Sequence, residues 1–405
     1  MSRVRPISRG VFTPGRQPAR IAAALLFSIV TFTGCGGSPW LEHAVPPGVS
    51  DWTQEGGNAQ RTNVHTRLPG AGDAEWDFSL DATGGPAAPL LRGGTVFVPS
   101  VTMIVEAASL RDADLTGEFP VEGVISSTPV ILGEHLFVAT VSSVSRLHCF
   151  SLVDGTLGWQ RTIDAVQSAL CAHDGAVFAT SRDGQVYRFA ARDSTEQWTV
   201  DLDARVRAAP AAADSVLVIA TAAGDVYGLS ARNGTQLWRV PTFASIAASP
   251  VIVGGRVIAV NREGRVVAID LHEGTLLWEQ QLDAPVYYGP AAQSRRLVFP
   301  LASGALVLID PEPGATLGRV ECGELPGASP QLAGDVAYQL LRKGLLLRVD
   351  LTDGTHTTVA ELPQRSETPP LLTPQGIVLV DEDGEAVMVG GGSALDSGNS
   401  DRIER

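Results

Sequence analysis

The sequence predicts an all-β protein, an eight-bladed β-propeller of four-stranded antiparallel blades whose last blade is closed by an N-terminal strand. Three columns of residues predict it. Gly184, Gly224, Gly264, Gly304, Gly344 and Gly384 stand forty residues apart, as do Pro210, Pro250, Pro290, Pro330 and Pro370. Trp159, Trp198, Trp238 and Trp278 form a third column at spacings of 39, 40 and 40. A repeat of this length, made of short β-branched runs, is the mark of propeller blades.

Residues 245–284 show one unit in full. An apolar strand around Pro250-Val-Ile-Val leads through Gly254-Gly255 to Arg256-Val-Ile-Ala-Val. A turn at Glu263-Gly264 precedes Arg265-Val-Val-Ala-Ile-Asp270, and Glu273-Gly274 leads to the last strand, Leu276–Leu282. Short β-branched strands joined by Gly-containing turns read as consecutive hairpins. The 3.6-residue apolar faces that a helical solenoid needs are absent. The units run roughly 82–122, 123–165, 166–204, 205–244, 245–284, 285–324, 325–364 and 365–389. The last stops at Val389 after its third strand. Its missing strand lies at the other end of the chain, because Glu75-Trp76-Asp77-Phe78-Ser79-Leu80-Asp81-Ala82 matches Leu277–Ala284 with Trp in the same place. Closure by strand exchange removes the open edges of the ring.

Each column has a mechanical job. Gly in the turn between the second and third strands suits φ > 0. Asp154-Gly155, Asn233-Gly234, Glu273-Gly274 and Asp353-Gly354 link the third strand to the outermost one. The Pro column marks the small-residue inner strand, where blades converge. Trp on the outer strand is expected to wedge between neighbouring blades, and Gly318 and Thr358 stand where blades six and seven lose it.

Composition fits this reading: 43 Gly and 26 Pro in a chain that is 44% hydrophobic serve many turns and argue against disorder. Residues 1–34 hold five Arg and no acid, so the part that follows carries −19 against −14 for the whole chain. A body this acidic is not expected to track nucleic acid or to lie on an anionic leaflet. Cys149, Cys171 and Cys322 sit apart from one another, without the CxxC or His/Cys spacing of a zinc site. One disulfide with one free thiol, or three buried thiols, are the options.

The N-terminus has a basic stretch, then the apolar run Ile21–Phe32, then Thr33-Gly34-Cys35-Gly36-Gly37. That run is too short to span a bilayer comfortably and fits a signal-peptide core. Small residues before a Cys resemble the bacterial lipobox, which implies that Cys35 becomes the lipid-bearing first residue of the mature chain. The expected organisation is a signal peptide over 1–34, a lipidated tether and lead-in segment over 35–74, the propeller over 75–389 and a disordered tail over 390–405.

The pattern Gly-x-Val-x-Ala-Ile-Asp-x-x-x-Gly-Thr-x-x-Trp, as in Gly264 to Trp278, resembles the repeat of pyrroloquinoline quinone (PQQ) propellers. Asp51-Trp52-Thr-Gln-Glu-Gly56-Gly57-Asn58-Ala-Gln-Arg61-Thr62-Asn63 looks like the lead-in motif of those proteins. The resemblance covers roughly 51–389 and speaks to fold more than to function. One branch of that family, the PQQ-dependent dehydrogenases, implies a quinone on a Trp floor, a Ca²⁺ held by Glu, Asn and Asp, and in many members adjacent Cys residues. No such Cys pair is present. The other branch, the BamB-like lipoproteins of outer-membrane β-barrel assembly, is similar in length, lipobox and blade number. It implies a non-catalytic protein that binds an envelope partner.

Motifs of nucleophile elbows, phosphate loops and zincins are missing, and the seven His do not pair at ligand spacing. Asp201 and Asp203 belong to the blade template, since Leu-Asp-Ala recurs at 80–82 and 282–284. No catalytic residue, metal site or cofactor is therefore assigned. The informative positions break the template: Arg205 and Arg207 before the inner strand of blade four, and Tyr287 and Tyr288 in the same place in blade six. Charged or aromatic residues there are the candidates for a channel mouth or a partner surface. The expected function is a non-catalytic, lipid-anchored scaffold on the periplasmic face of the outer membrane, a monomer within a complex. A PQQ-dependent quinoprotein and a periplasmic carbohydrate- or small-ligand-binding propeller are the alternatives.

Overall fold

The computed structural model describes residues 40–48, 50–69, 76–79, 87–193, 195–382 and 385–390. The chain divides into two compact units, Met1–Cys35 and Gly36–Arg405, and the described residues all belong to the second. Cys35, the signal segment and residues 391–405 of the expected tail lie outside the described residues.

Blade five shows how the repeat folds. Val251–Val253, Arg256–Val260, Arg265–Asp270 and Leu276–Gln281 pair antiparallel in chain order. The two middle strands read as apolar runs because neighbouring blades cover both of their faces; Val257, Ile258, Val266 and Ile269 are wholly buried. The outermost strand alternates between exposed and half-buried positions. At the second turn Gly264 has φ +84°, and a Cβ there would lie 2.6 Å from the Ala284 carbonyl oxygen. Gly184, Gly224 and Gly344 repeat both features, at 2.6, 2.5 and 2.6 Å from a carbonyl oxygen twenty residues on. The glycine column is thus required by handedness and by close approach together.

The core lies between blades rather than within them. Eight apolar clusters each join two neighbours, and the one holding Trp52, Leu91, Val96, Leu371 and Val378 joins blade eight to blade one. Ring closure is as the sequence predicts: Trp76–Ser79 pairs antiparallel with Glu385–Val389, Trp76 opposite Met388, as the fourth strand of blade eight. The outer Trp residues are inter-blade wedges. Trp198, Trp238 and Trp278 donate their indole N–H to the carbonyls of Ala231, Leu271 and Pro311 on the next blade, at 3.2, 2.9 and 3.0 Å.

Two stretches ahead of the repeat are built into the ring. Trp40–Leu41 adds a fifth strand to the outer edge of blade one, and Val64–His65 adds a parallel strand to the inner edge of blade seven. Cys149, Cys171 and Cys322 are free and buried, which decides between the two options above. Burial pushes their thiols up to about 12, 12 and 11, so they behave as small apolar side chains.

Candidate functional site

The inner strand of each blade has one edge facing the axis, and its N–H groups need partners once water is excluded. Residues 52–65 supply them by passing the blades in order. The N–H groups of Leu91 and Ile131 donate to the carbonyls of Trp52 and Thr53. In blade three the Gln54 side chain stands in for backbone: its Oε1 accepts from Ala172 N–H at 3.0 Å and its Nε2 donates to Ala172 O at 3.3 Å. Ala212, Ile252, Ala292 and Leu332 then donate to the carbonyls of Ala59, Gln60, Thr62 and Asn63 at 2.7, 2.9, 2.8 and 2.9 Å. In blade eight the His65 ring meets the Leu372 backbone. These positions recur every forty or forty-one residues, so the segment reads the same point of each blade.

A reversal at Gln54–Asn58 makes this path possible. Gly57 has φ +78°, and a Cβ would collide with the Trp52 ring at 2.4 Å. Arg61 then turns inward with a left-handed backbone, φ 58°. Its buried guanidinium donates to Pro210 O at 2.8 Å, to Leu170 O at 3.5 Å and to the Glu55 carboxylate at 2.9 Å. Glu55 in turn accepts from the Thr128 hydroxyl at 3.0 Å, and Asn63 donates to Pro290 O at 3.1 Å. Arg61 therefore ties blades three and four to the plug, and Glu55 ties blade two.

Trp52 and His65 close the segment on itself, their rings stacked 3.8 Å apart at 2°. Burial pushes the His65 imidazole down to about 4, against the hydrogen bond its ring donates to the Gln331 side-chain oxygen, which favours the charged form. His148, buried in blade two beside the Thr140 hydroxyl, is pushed down to about 4 by burial and then by Arg146. Both are neutral in the folded state at pH 7 and take up protons more readily when unfolded. Their stabilising effect is complete above about pH 6.5 and is lost as pH falls towards 4. Each should cost about 2–3 kcal/mol at pH 4.5. Urea midpoints between pH 7 and 4.5 check this, with His148→Gln expected to flatten the profile.

The four template-breaking residues lie on one face. Val206 and Val286, eighty residues apart, make the equivalent bridges to Thr221 and Leu301. Arg205 and Arg207 flank the first, and Tyr287 and Tyr288 follow the second, two blades away. Arg205 and Arg207 are exposed and have no side-chain partner among the described residues. Tyr287 is 44% exposed, with the Arg262 guanidinium 5.2 Å over its ring. Tyr288 is half-buried, its phenol pushed up to about 12 by burial first and by Glu367 second, with Arg342 opposing. None of the described contacts joins the Arg pair to the Tyr pair. Sequence reasoning missed Arg182, Arg262 and Arg342, which share this face because the second turns hydrogen-bond to the loops before the inner strands. Their eighty-residue spacing, two positions before the glycine column, was the available signal.

None of the four residues lines the axial void. That void, of about 10 Å³, lies among Glu55, Arg61, Asn63, Ser249, Gly289 and Ser329 and has room for no more than a water. The polar groups of Gln54, Arg61 and Asn63 are committed to the blades, and no group of three or more His, Cys, Asp or Glu that could hold a metal occurs among the described residues. The residues at the axis thus do not fit a quinone with its divalent cation. No helix among the described residues is long and apolar enough to cross a membrane.

The fold matches solved propellers of both kinds. BamB from Moraxella catarrhalis is 14% identical with a TM-score of 0.67, over 77% of this chain and 97% of that one. The quinohemoprotein alcohol dehydrogenase from Comamonas testosteroni is 12% identical with a TM-score of 0.71, over 85% and 81%. A europium-containing methanol dehydrogenase is 11% identical with a TM-score of 0.68, over 84% and 89%. At these identities the likeness concerns fold alone. No curated protein sequence matches the chain. The family model described as outer membrane protein assembly factor BamB matches residues 61–300. With more than half of its length matched, the chain belongs to that family.

Proposed function

We propose that this chain is a non-catalytic scaffold of the cell envelope, anchored by lipid on Cys35 at the periplasmic face of the outer membrane, which binds a partner protein in β-barrel assembly. The observation that carries the reading is the plug: the axis is filled by the chain's own residues 52–65, so the surface left for binding is exterior. Family membership supports the same reading. Arg205 and Arg207, exposed without internal partners, and Tyr287 beneath Arg262 offer the cation and aromatic anchors that protein interfaces favour.

The test is recovery of the tagged, full-length protein from envelope membranes in mild detergent. Wild type should bring down a barrel-assembly component, and Arg205→Glu with Arg207→Glu should reduce the yield about tenfold. Recovery of no such component would sink the proposal. The likeness to quinohemoprotein alcohol dehydrogenase favours a second reading, a quinoprotein enzyme. Protein supplied with PQQ and Ca²⁺ that reduced an electron-accepting dye would replace the scaffold with that enzyme.

A further inference from the structure

Along the rim, one joint between blades is repeated and then interrupted. The glycine that leads into each outermost strand packs on the preceding blade. A Cβ at Gly234, Gly274 or Gly314 would lie 2.9, 2.3 or 2.5 Å from the ring of Trp198, Trp238 or Trp278. A Cβ at Gly354 would meet only Val320, at 3.6 Å. The reason is Gly318, which takes the Trp position opposite Leu308 in blade six, as Trp238 does opposite Gly228 in blade four. Beside Gly318 is open space. A groove of about 400 Å³ results, lined by Leu308, Leu317, Val320 and Leu351 with Arg295 and Arg319 at its edge. The Leu351 carbonyl, equivalent to the one on Leu271 that accepts the Trp238 indole, accepts no hydrogen bond among the described residues.

Blade one presents the same vacancy, already filled. Gly117 stands at the Trp position there, opposite Ala107. The chain lays Trp40–Leu41 along that outer strand, Leu41 paired with Gly117 and Trp40 with Glu118. A Cβ on Gly117 would lie 2.7 Å from the Leu41 side chain, and one on Gly155 of blade two would lie 2.9 Å from the Leu41 nitrogen. The carbonyl of Leu152, which matches Leu351, accepts Val45 N–H at 3.0 Å. In blade one, then, an added extended strand with a large apolar side chain completes the joint that lacks the Trp.

We infer that the rim between blades six and seven is a strand-addition site for an extended segment of a partner protein, with a large apolar residue seated over Gly354 and an acidic neighbour for Arg295. The inference rests on the scaffold reading and names a surface for it. The outer edge of Thr316–Glu321 is unpaired among the described strands, so its N–H and C=O groups are available for pairing. Leu317, 53% exposed, widens the apolar contact. Arg319 is shared by Asp283 and Glu321 and Arg296 is held by Asp335, whereas exposed Arg295 has no partner among the described residues and is the cation left for an incoming acid.

The probe is a fluorescent peptide copying residues 38–47, SPWLEHAVPP, whose Trp40 and Leu41 fill the equivalent groove in blade one. It is titrated into the full-length protein in detergent. Saturable binding is expected, weakened about tenfold or more by Gly318→Trp, which fills the groove from within. The same variant should raise the melting temperature. Arg295→Glu should weaken the peptide about threefold, and a peptide carrying Leu41→Asp should not bind. If Gly318→Trp does not fold, Leu317→Asp on the exposed rim replaces it, with the same expected loss. No binding to wild type, or equal binding to the variants, overturns the site. Concentration-dependent dimers of wild type that Gly318→Trp abolishes would give the groove to a second copy and overturn the partner assignment. In the membrane pull-down, undiminished recovery of the assembly component by Gly318→Trp overturns this site while leaving the scaffold standing. Recovery of nothing by wild type removes the scaffold reading, and the peptide titration still decides the groove.

Discussion

Arg61→Ala should destabilise the ring by about 3 kcal/mol, read as a lowered urea midpoint. The guanidinium is buried, its side chain 3% exposed, and satisfies two carbonyls at the entrances to inner strands besides Glu55. Its removal leaves the Pro210 and Leu170 carbonyls without that donor and strands a carboxylate at the mouth of the axial void. Glu55 is 30% exposed and can recruit water, which holds the cost to the lower end for a broken buried pair. Arg61→Gly should be about 1 kcal/mol milder than Arg61→Ala, because φ 58° suits glycine and strains alanine. Equal losses in the two variants would show that the backbone at 61 relaxes. Arg61→Lys should not restore the wild-type midpoint, since an ammonium cannot span Pro210, Leu170 and Glu55 from one planar group.

Trp238→Ala should cost about 3–5 kcal/mol, measured in the same way. Trp238 is 7% exposed, packs on Gly228 and Gly274, and donates to the Leu271 carbonyl. It alone of the three hydrogen-bonded wedges counts as buried; Trp198 and Trp278 are half-buried, so their alanine variants should cost less. Trp238→Phe separates the contributions. It keeps most of the apolar contact, leaves Leu271 O without its donor, and should cost about 1–3 kcal/mol. A Phe variant as unstable as the Ala variant would place most of the effect in the hydrogen bond instead of in packing.

The two variants probe joints of different legibility. Trp238 could be read directly: the column at 198, 238 and 278 announces a repeated outer-strand contact, and the structure shows the wedge. Arg61 could not. Its role depends on carbonyls 109 and 149 residues away, at Leu170 and Pro210, which meet only when the ring closes. The lead-in motif around Gly56-Gly57 was visible as a resemblance. That it is a plug, with Gln54 imitating backbone for blade three, follows from geometry no local pattern encodes. The same holds at the rim. Gly318 was legible as a lost Trp, whereas Gly117 was not, since blade one departs from the forty-residue spacing, and its socket is recognisable only with Leu41 seated in it.

The four-strand order of a blade, the blade number and closure by the strand at Trp76 were determined by the sequence alone, because they rest on local alternation, turn glycines and a repeat that each blade restates. The tertiary structure alone decided what fills the axis and which rim joint stays open. Both depend on where non-repeating segments end up once eight blades are arranged in a circle. A repeat constrains what every blade shares, and Arg205, Arg207, Gly318 and the plug are where the blades differ.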